Sequence, residues 1–179
     1  MTRLHTLPVS EATGQAAQLF TAIKGAIGMV PNAFANMGVN SPVALEAALS
    51  MDSSLRKSSL NVKEIEVIKL AVSEIAGCDY CLAAHTLMSG KAGLSGDTIM
   101  AARKGGSTGD ARLDALVAFT RVLVKTSGTV PAEAVAAVKA AGVTDAQIAD
   151  VPLAIASITL TNLFNRINDT VLDFPAAAK

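Results

Sequence analysis

The sequence predicts an all-α fold, and three observations carry that expectation. Alanine is abundant while aromatic residues make up only 3% of the chain. No long run alternates β-branched with polar residues, the period-two signature of a strand. Caps and glycines also recur at helical spacing, with hydroxyl residues opening apolar-periodic segments and glycine closing them. A chain of 179 residues that is 51% hydrophobic can bury a sizeable core, so residues 1–179 are read as a single domain.

In chain order, ATGQAAQLFTAIKGAIGMV (12–30) predicts a helix broken at Gly25 and Gly28 ahead of Pro31. PNAFANMGVNSPVALEAALSMDSSL (31–55) predicts two helices, the second opened by a Ser41 cap with Pro42 at its first position. Two central helices follow at about 61–76 and 78–89, with Gly77 between them and Gly90 after them. AGLSGDTIMAARKGG (92–106), ARLDALVAFTRVLVKTSG (111–128) and the apolar stretch from Val130 to Phe174 supply the rest. Thr144 and Gln147 have capping-box spacing. KAGLSGDTIMAA (91–102) and KAAGVTDAQIADV (139–151) echo one another, which reads as reused capping physics in preference to an internal duplication.

Fifteen basic residues balance fifteen acidic ones. With no basic block and no aromatic ladder, nothing recommends nucleic-acid binding. MTRLHTLPVSEAT lacks the apolar core of a secretory signal. VPLAIASITLTNLF (151–164), interrupted by Pro152, Ser157, Thr159, Thr161 and Asn162, reads as too short and too polar for a membrane span. The expectation is a cytoplasmic protein, where a cysteine pair is seldom a permanent staple.

Both cysteines and one of the two histidines fall in AVSEIAGCDYCLAAHTLMSG (71–90). At about 100° per residue, Cys78, Cys81 and His85 lie within roughly 60° of arc on one helix face. Unpaired N–H groups in a first helical turn stabilise a thiolate, lowering a cysteine below its usual ~8.5. Three readings compete: a redox dithiol, which the clustering favours; a zinc site, which lacks a fourth ligand because His5 is remote; and inert buried thiols. A thioredoxin-like setting is unattractive, because NVKEIEVIKLAVSEIAG is too long and too helical to be the strand that precedes such a motif.

That preceding helix is apolar almost all round, apart from a stripe of Glu66, Lys69 and Ser73. Glu66 is either a proton-holding group facing the thiols or half of a surface pair with Lys69 or Lys63, and periodicity leaves both open. Tyr80 projects away from the thiols and reads as packing at the start of its helix. Leu82, Leu87, Met88 and Met100 read as core before they read as an apolar approach. Asn162, Asn165, Arg166 and Asn168 read as caps or a subunit contact.

Glu66, the Cys78-Asp79-Tyr80-Cys81 motif and His85, set in LNVKEIEVIKLAVSEIAGCDYCLAAHTLMSGKAGLS, resemble the alkylhydroperoxidase AhpD-like branch of the carboxymuconolactone decarboxylase family. GMVPNAFANM (28–37) and TNLFNRINDTV (161–171) are similar to flanking segments of its peroxidase-related members, and 60–100 is the most specific part. The resemblance implies an all-α, AhpD-like helical bundle built around a core helix pair carrying the CxxC, assembled as a homotrimer or homohexamer. It implies dithiol-dependent reduction of an organic hydroperoxide or hydrogen peroxide, with no tightly bound cofactor and an external dithiol or lipoyl-type reductant. By the same resemblance Cys81 is the peroxide-attacking nucleophile, Cys78 its resolving partner, and His85 with Glu66 the proton relay; Tyr80, Lys69 and Ser73 stand behind them. The family's best-known alkylhydroperoxidase has histidine where this chain has Tyr80, and the decarboxylase branch lacks the cysteine pair. The rival readings are a redox-sensing or partner-binding module using the same thiols, and a zinc-dependent enzyme.

Overall fold

Helix signals in the sequence become helices in the computed structural model, which describes residues 2–179. After a short 3-10 turn at Val9–Glu11 come α1 (Gly14–Ile27), α2 (Asn32–Asn40), α3 (Pro42–Leu55), α4 (Val62–Ala76), α5 (Asp79–Lys91), α6 (Gly96–Lys104), α7 (Ala111–Lys125), α8 (Ala132–Ala140) and α9 (Asp145–Asn168). No strand occurs among the described residues. The fold class is all-α.

Local chemistry explains the boundaries. The Ser41 hydroxyl accepts from the Ala44 N–H at 3.2 Å with Pro42 at the first position of α3. Thr144 and Gln147 form a reciprocal capping box at the start of α9, and Asn61 with Glu64 forms a second at the start of α4. Two breaks move. Gly25 stays helical, and α1 ends at Gly28, where the backbone turns left-handed. Helix α5 likewise runs through Gly90 to Lys91, because the left-handed turn that stops it is at Gly93.

The two echoed segments share one mechanism. Leu94 N–H returns to Ser89 O and Val143 N–H to Val138 O across left-handed Gly93 and Gly142, and Ser95 or Thr144 then caps the next helix. These are Schellman stops followed directly by hydroxyl starts.

Helix α4 is the axis of the bundle, packed by α5, α6, α7 and α9. Its Val67, Ile68, Leu70 and Ala71 have no exposed surface. One core layer joins Ile68 and Val72 to Leu116, Phe119, Val151, Ala154 and Ile158; a second lies under α6 and α7 around Leu70, Ile99 and Val117. A third gathers Phe20, Met37 and Leu45 between α1, α2 and α3. There Gly38 is a forced choice. A Cβ at that position would stand 2.5 Å from Phe20 Cε1 and 2.8 Å from Leu45 Cδ2. Gly38→Ala is expected to destabilise the chain by about 1–3 kcal/mol, read by denaturant unfolding, since overpacking outweighs the gain in helix propensity.

Helix α9 departs from expectation. It passes through Pro152 without ending and runs 24 residues, so by length and composition it is the one helix among the described residues that could cross a membrane. Its inward face, however, holds Ser157, Asn162, Asn165 and Asn168 alongside Val151, Ala154 and Ile158, and packs on α3, α4 and α5. A polar seam facing protein, with apolar residues such as Leu163 and Ile167 turned outward, is what brings α9 to the thiols.

Candidate active site

The thiols are placed by a hinge. Left-handed Gly77 closes α4 in a Schellman turn, with the Cys78 N–H bonded to Ser73 O at 3.1 Å. The residue that completes this stop is also the N-cap of α5: the Cys78 sulfur accepts from the Cys81 N–H at 3.5 Å. Cys78 therefore stands just before the first turn, and Cys81 one turn inside it. Both are free thiols and both are buried, at 1% and 3% exposure.

Cys81 is the thiol surrounded by donors. The Asn165 amide donates to its Sγ at 3.4 Å, while Oγ1 of half-buried Thr161, which donates to Ile158 O, accepts from the Cys81 thiol at 3.9 Å. A hydrogen bond from the Cys78 thiol is the largest influence on Cys81; the Asn165 amide, the charge of His85 and the Asn162 amide add to it. Together they overcome burial and bring Cys81 down to about 6. The same bond with Cys81, reinforced by burial, pushes Cys78 well up, although the Cys81 N–H opposes this. The pair keeps its shared proton on Cys78.

Behind the thiols, Glu66 and His85 meet in the interior. Glu66 Oε2 lies 2.8 Å from His85 Nδ1, and the Ser89 hydroxyl donates to the same oxygen at 3.5 Å. Glu66 is 3% exposed and His85 8%. Glu66 thus turns inward to His85 and Ser89 and not to a surface lysine. Lys69 is itself buried and bonds Asp52 of α3 at 2.8 Å, where the Ser157 hydroxyl also donates at 2.7 Å. Burial would push the Asp52 carboxyl up, but Lys69 first and Ser157 next hold it below the usual carboxylate range. Ser73, fully buried, accepts from the Asn162 amide at 3.1 Å. The polar stripe of α4 is thus an interior seam matched by α3, α5 and α9.

Some sequence candidates fall outside this cluster. The Tyr80 hydroxyl donates to Asp173 at 2.7 Å and accepts from the Ala33 N–H at 3.2 Å, while its ring meets Phe174 edge-on. Burial, then the bond to Asp173, pushes the phenol up. Tyr80 ties the C-terminal segment to α2. Leu82 is core, whereas Leu87 and Met88 are exposed. Leu87 lines a shallow cleft of about 440 Å³ with Ala83, Thr86, Gly90, Lys91, Pro175 and Ala176. Helical periodicity puts that cleft on the opposite side of α5 from the thiols. Asn162 and Asn165, read from sequence as caps or a subunit contact, face the thiol site instead. Among the described residues, no group of three His, Cys, Asp or Glu side chains could hold a metal ion.

A buried dithiol of unequal acidities and a carboxylate–imidazole pair thus share an all-α bundle whose fold resembles known proteins. Residues 42–122, which include both cysteines, Glu66 and His85, match the carboxymuconolactone decarboxylase family. The fold is similar to that of solved structures described as AhpD-like or peroxidase-related. An alkylhydroperoxidase AhpD core structure, an uncharacterized peroxidase-related protein from Ralstonia eutropha JMP134, superposes with a TM-score of 0.85 at 20% identity, over 96% of this chain and 92% of that one. A protein of unknown function from Agrobacterium tumefaciens gives 0.71 at 24%, over 78% and 97%. A cysteine-to-alanine variant of the debrominase Bmp8, in complex with 2,3,4-tribromopyrrole, gives 0.78 at 18%, over 97% and 92%. At these identities the likeness establishes the fold. No curated protein matches the sequence.

Proposed function

We propose that this protein reduces hydroperoxides with the Cys78–Cys81 pair and is recharged by an external dithiol. The observation that carries the reading is a thiol held low, Cys81, paired with a proton-bearing thiol, Cys78, and sharing its helix with His85, whose charge acts on it and whose ring meets buried Glu66. Each step balances. The Cys81 thiolate attacks the terminal peroxide oxygen, the O–O bond breaks, and the departing alkoxide takes a proton from His85, leaving a sulfenic acid and an alcohol. The Cys78 thiol then attacks the sulfenic sulfur, a disulfide forms and water leaves. A dihydrolipoyl-type dithiol reopens the disulfide by exchange and is itself oxidised to its cyclic disulfide.

Free thiols suit a reducing compartment such as the cytoplasm. Assembly as a homotrimer or homohexamer belongs to the same reading, supported by the outward Leu163 and Ile167 of α9, each more than half exposed. The test is hydroperoxide-dependent oxidation of dihydrolipoamide by the reduced protein, with hydrogen peroxide, an alkyl hydroperoxide and a brominated pyrrole as alternative oxidants. Turnover with a hydroperoxide supports the reading. Slow, stoichiometric thiol oxidation without turnover would replace it with a redox-sensing role.

A further inference from the structure

The carboxamides of Asn162 and Asn165 pose a question the relay does not answer. Both side chains are buried, at 1% and 4% exposure, and both amide nitrogens are used: Asn165 Nδ2 on Cys81 Sγ, Asn162 Nδ2 on Ser73 Oγ. Their Oδ1 atoms are buried with no hydrogen-bond partner. Thr86 and Thr120 also have hydroxyls without a partner. Those are rotors inside helices, where the carbonyl four residues back is within easy reach. An Asn oxygen whose amide nitrogen is already committed has no such rotation and needs a donor from elsewhere. A buried acceptor left unpaired in the resting fold marks a place where a ligand donor belongs.

Location sharpens the point. Thr161 and Asn165 are one turn apart on α9 and both approach Cys81 Sγ. The Asn165 carboxamide therefore bridges the sulfur on one side and an unpaired acceptor on the other. A hydroperoxide attacked by Cys81 brings one hydrogen-bond donor, the O–H on the very oxygen that the sulfur takes. We propose that Asn165, with Asn162 beside it, is a positioning residue with two tasks: its amide N–H holds the Cys81 thiolate, and its Oδ1 accepts the hydroperoxide O–H so that the terminal oxygen faces the sulfur. The second task rests on the hydroperoxide reading above; the first does not.

The two tasks separate with two variants of the full-length reduced protein. Asn165→Asp preserves shape and an acceptor but removes the N–H donors and adds a negative charge. Asn165→Leu is close in size and removes donor and acceptor together. The rate of Cys81 alkylation by iodoacetamide is followed against pH, with the site resolved by mass spectrometry. The groups that bear on that profile are Cys78 and His85 on α5, Glu66 behind His85, Tyr80 on the far side, and the Lys69–Asp52 pair beyond. All are unchanged in both variants. The midpoint is expected to rise by about one pH unit in Asn165→Leu and by more in Asn165→Asp. Turnover is then compared well above each variant's own midpoint, where ionisation is complete. There Asn165→Asp should regain the wild-type KM for hydroperoxide, while Asn165→Leu keeps a KM raised about tenfold or more.

A midpoint unmoved in both variants overturns the thiolate-holding task. Full recovery of Asn165→Leu at high pH overturns the substrate-positioning task. Shifted midpoints in a protein whose wild type shows no hydroperoxide turnover would sustain the first task and discard the second together with the hydroperoxide reading. Thermal unfolding guards against a folding artefact: Asn165→Leu removes an unpaired buried acceptor and is expected to melt no lower than wild type, and a collapsed Asn165→Leu leaves the pH shift of Asn165→Asp to decide the first task.

Discussion

Cys81→Ser is expected to lower hydroperoxide-dependent turnover of dihydrolipoamide by at least about a thousandfold, because a serine hydroxyl supplies no comparable nucleophile near neutral pH. Cys78→Ser should fail differently. The Cys78 thiol is what most strongly holds Cys81 down, and a serine hydroxyl at the N-cap can still donate to that sulfur. The first chemical step should therefore survive, giving one alcohol and one sulfenic acid per chain, detectable as a dimedone adduct on Cys81. Turnover then stops, because no second thiol closes the disulfide. This pair of phenotypes assigns the order of attack. A dimedone adduct on Cys78 in the Cys81→Ser protein, with rapid peroxide consumption, would reverse the assignment and give Cys78 the nucleophile's role.

The assignment depends on two features that pull in opposite directions. Cys78 occupies the N-cap and receives a backbone N–H, the position where a helix terminus favours a thiolate. Cys81 sits inside the first turn but receives the Cys78 thiol, the Asn165 amide and the field of His85. Two donors and a charge outweigh one long N–H contact, so proximity to the helix start does not by itself identify the reactive thiol. Burial has a consequence here too. At 3% exposure Cys81 meets little solvent, and half-buried Thr161 is less enclosed than Cys78 or Asn165, which also bond its residue.

What the sequence makes legible follows from range. Helix existence, the Ser41 and Thr144 starts and the Gly77 turn are decided within a few residues, and the local signals agree with one another. Cys78, Cys81 and His85 are legible as a group because one helix carries all three. Glu66 is only half legible, since period alone cannot say whether a polar stripe on an apolar helix meets water or another polar stripe. The deciding partners lie elsewhere in the chain: Asp52 on α3 takes Lys69 out of any pairing with Glu66, and Ser157 completes that site from α9. Asn165 lies 84 residues from the sulfur it contacts. A run rich in asparagine late in a helix looks like a cap when read locally, and only the packing of α9 across α4 and α5 turns it toward the thiols. One signal was available: polar residues 157, 161, 162, 165 and 168 recur at helical spacing, a stripe too regular for a cap.

Glu66→Gln should separate proton delivery from thiol chemistry. The Glu66 carboxyl group is buried and bonded to His85 Nδ1 at 2.8 Å, which orients the imidazole and leaves its other ring nitrogen outside that bond. Glutamine keeps the shape but removes the charge that steadies the ring while it carries a second proton. General acid assistance is commonly worth about 10²–10⁴-fold, and its value depends on the leaving group. An alkyl hydroperoxide expels a strongly basic alkoxide and needs that proton; a peracid expels a carboxylate and does not. Glu66→Gln, and more severely His85→Asn, are thus expected to reduce kcat/KM for tert-butyl hydroperoxide by about a hundredfold or more while sparing peracetic acid to within a few-fold. The ratio of the two substrates is the informative quantity, because misfolding, a displaced α5 or loss of Cys81 thiolate would depress both alike. Equal losses would remove Glu66 and His85 from proton delivery and leave them as buried struts between α4 and α5.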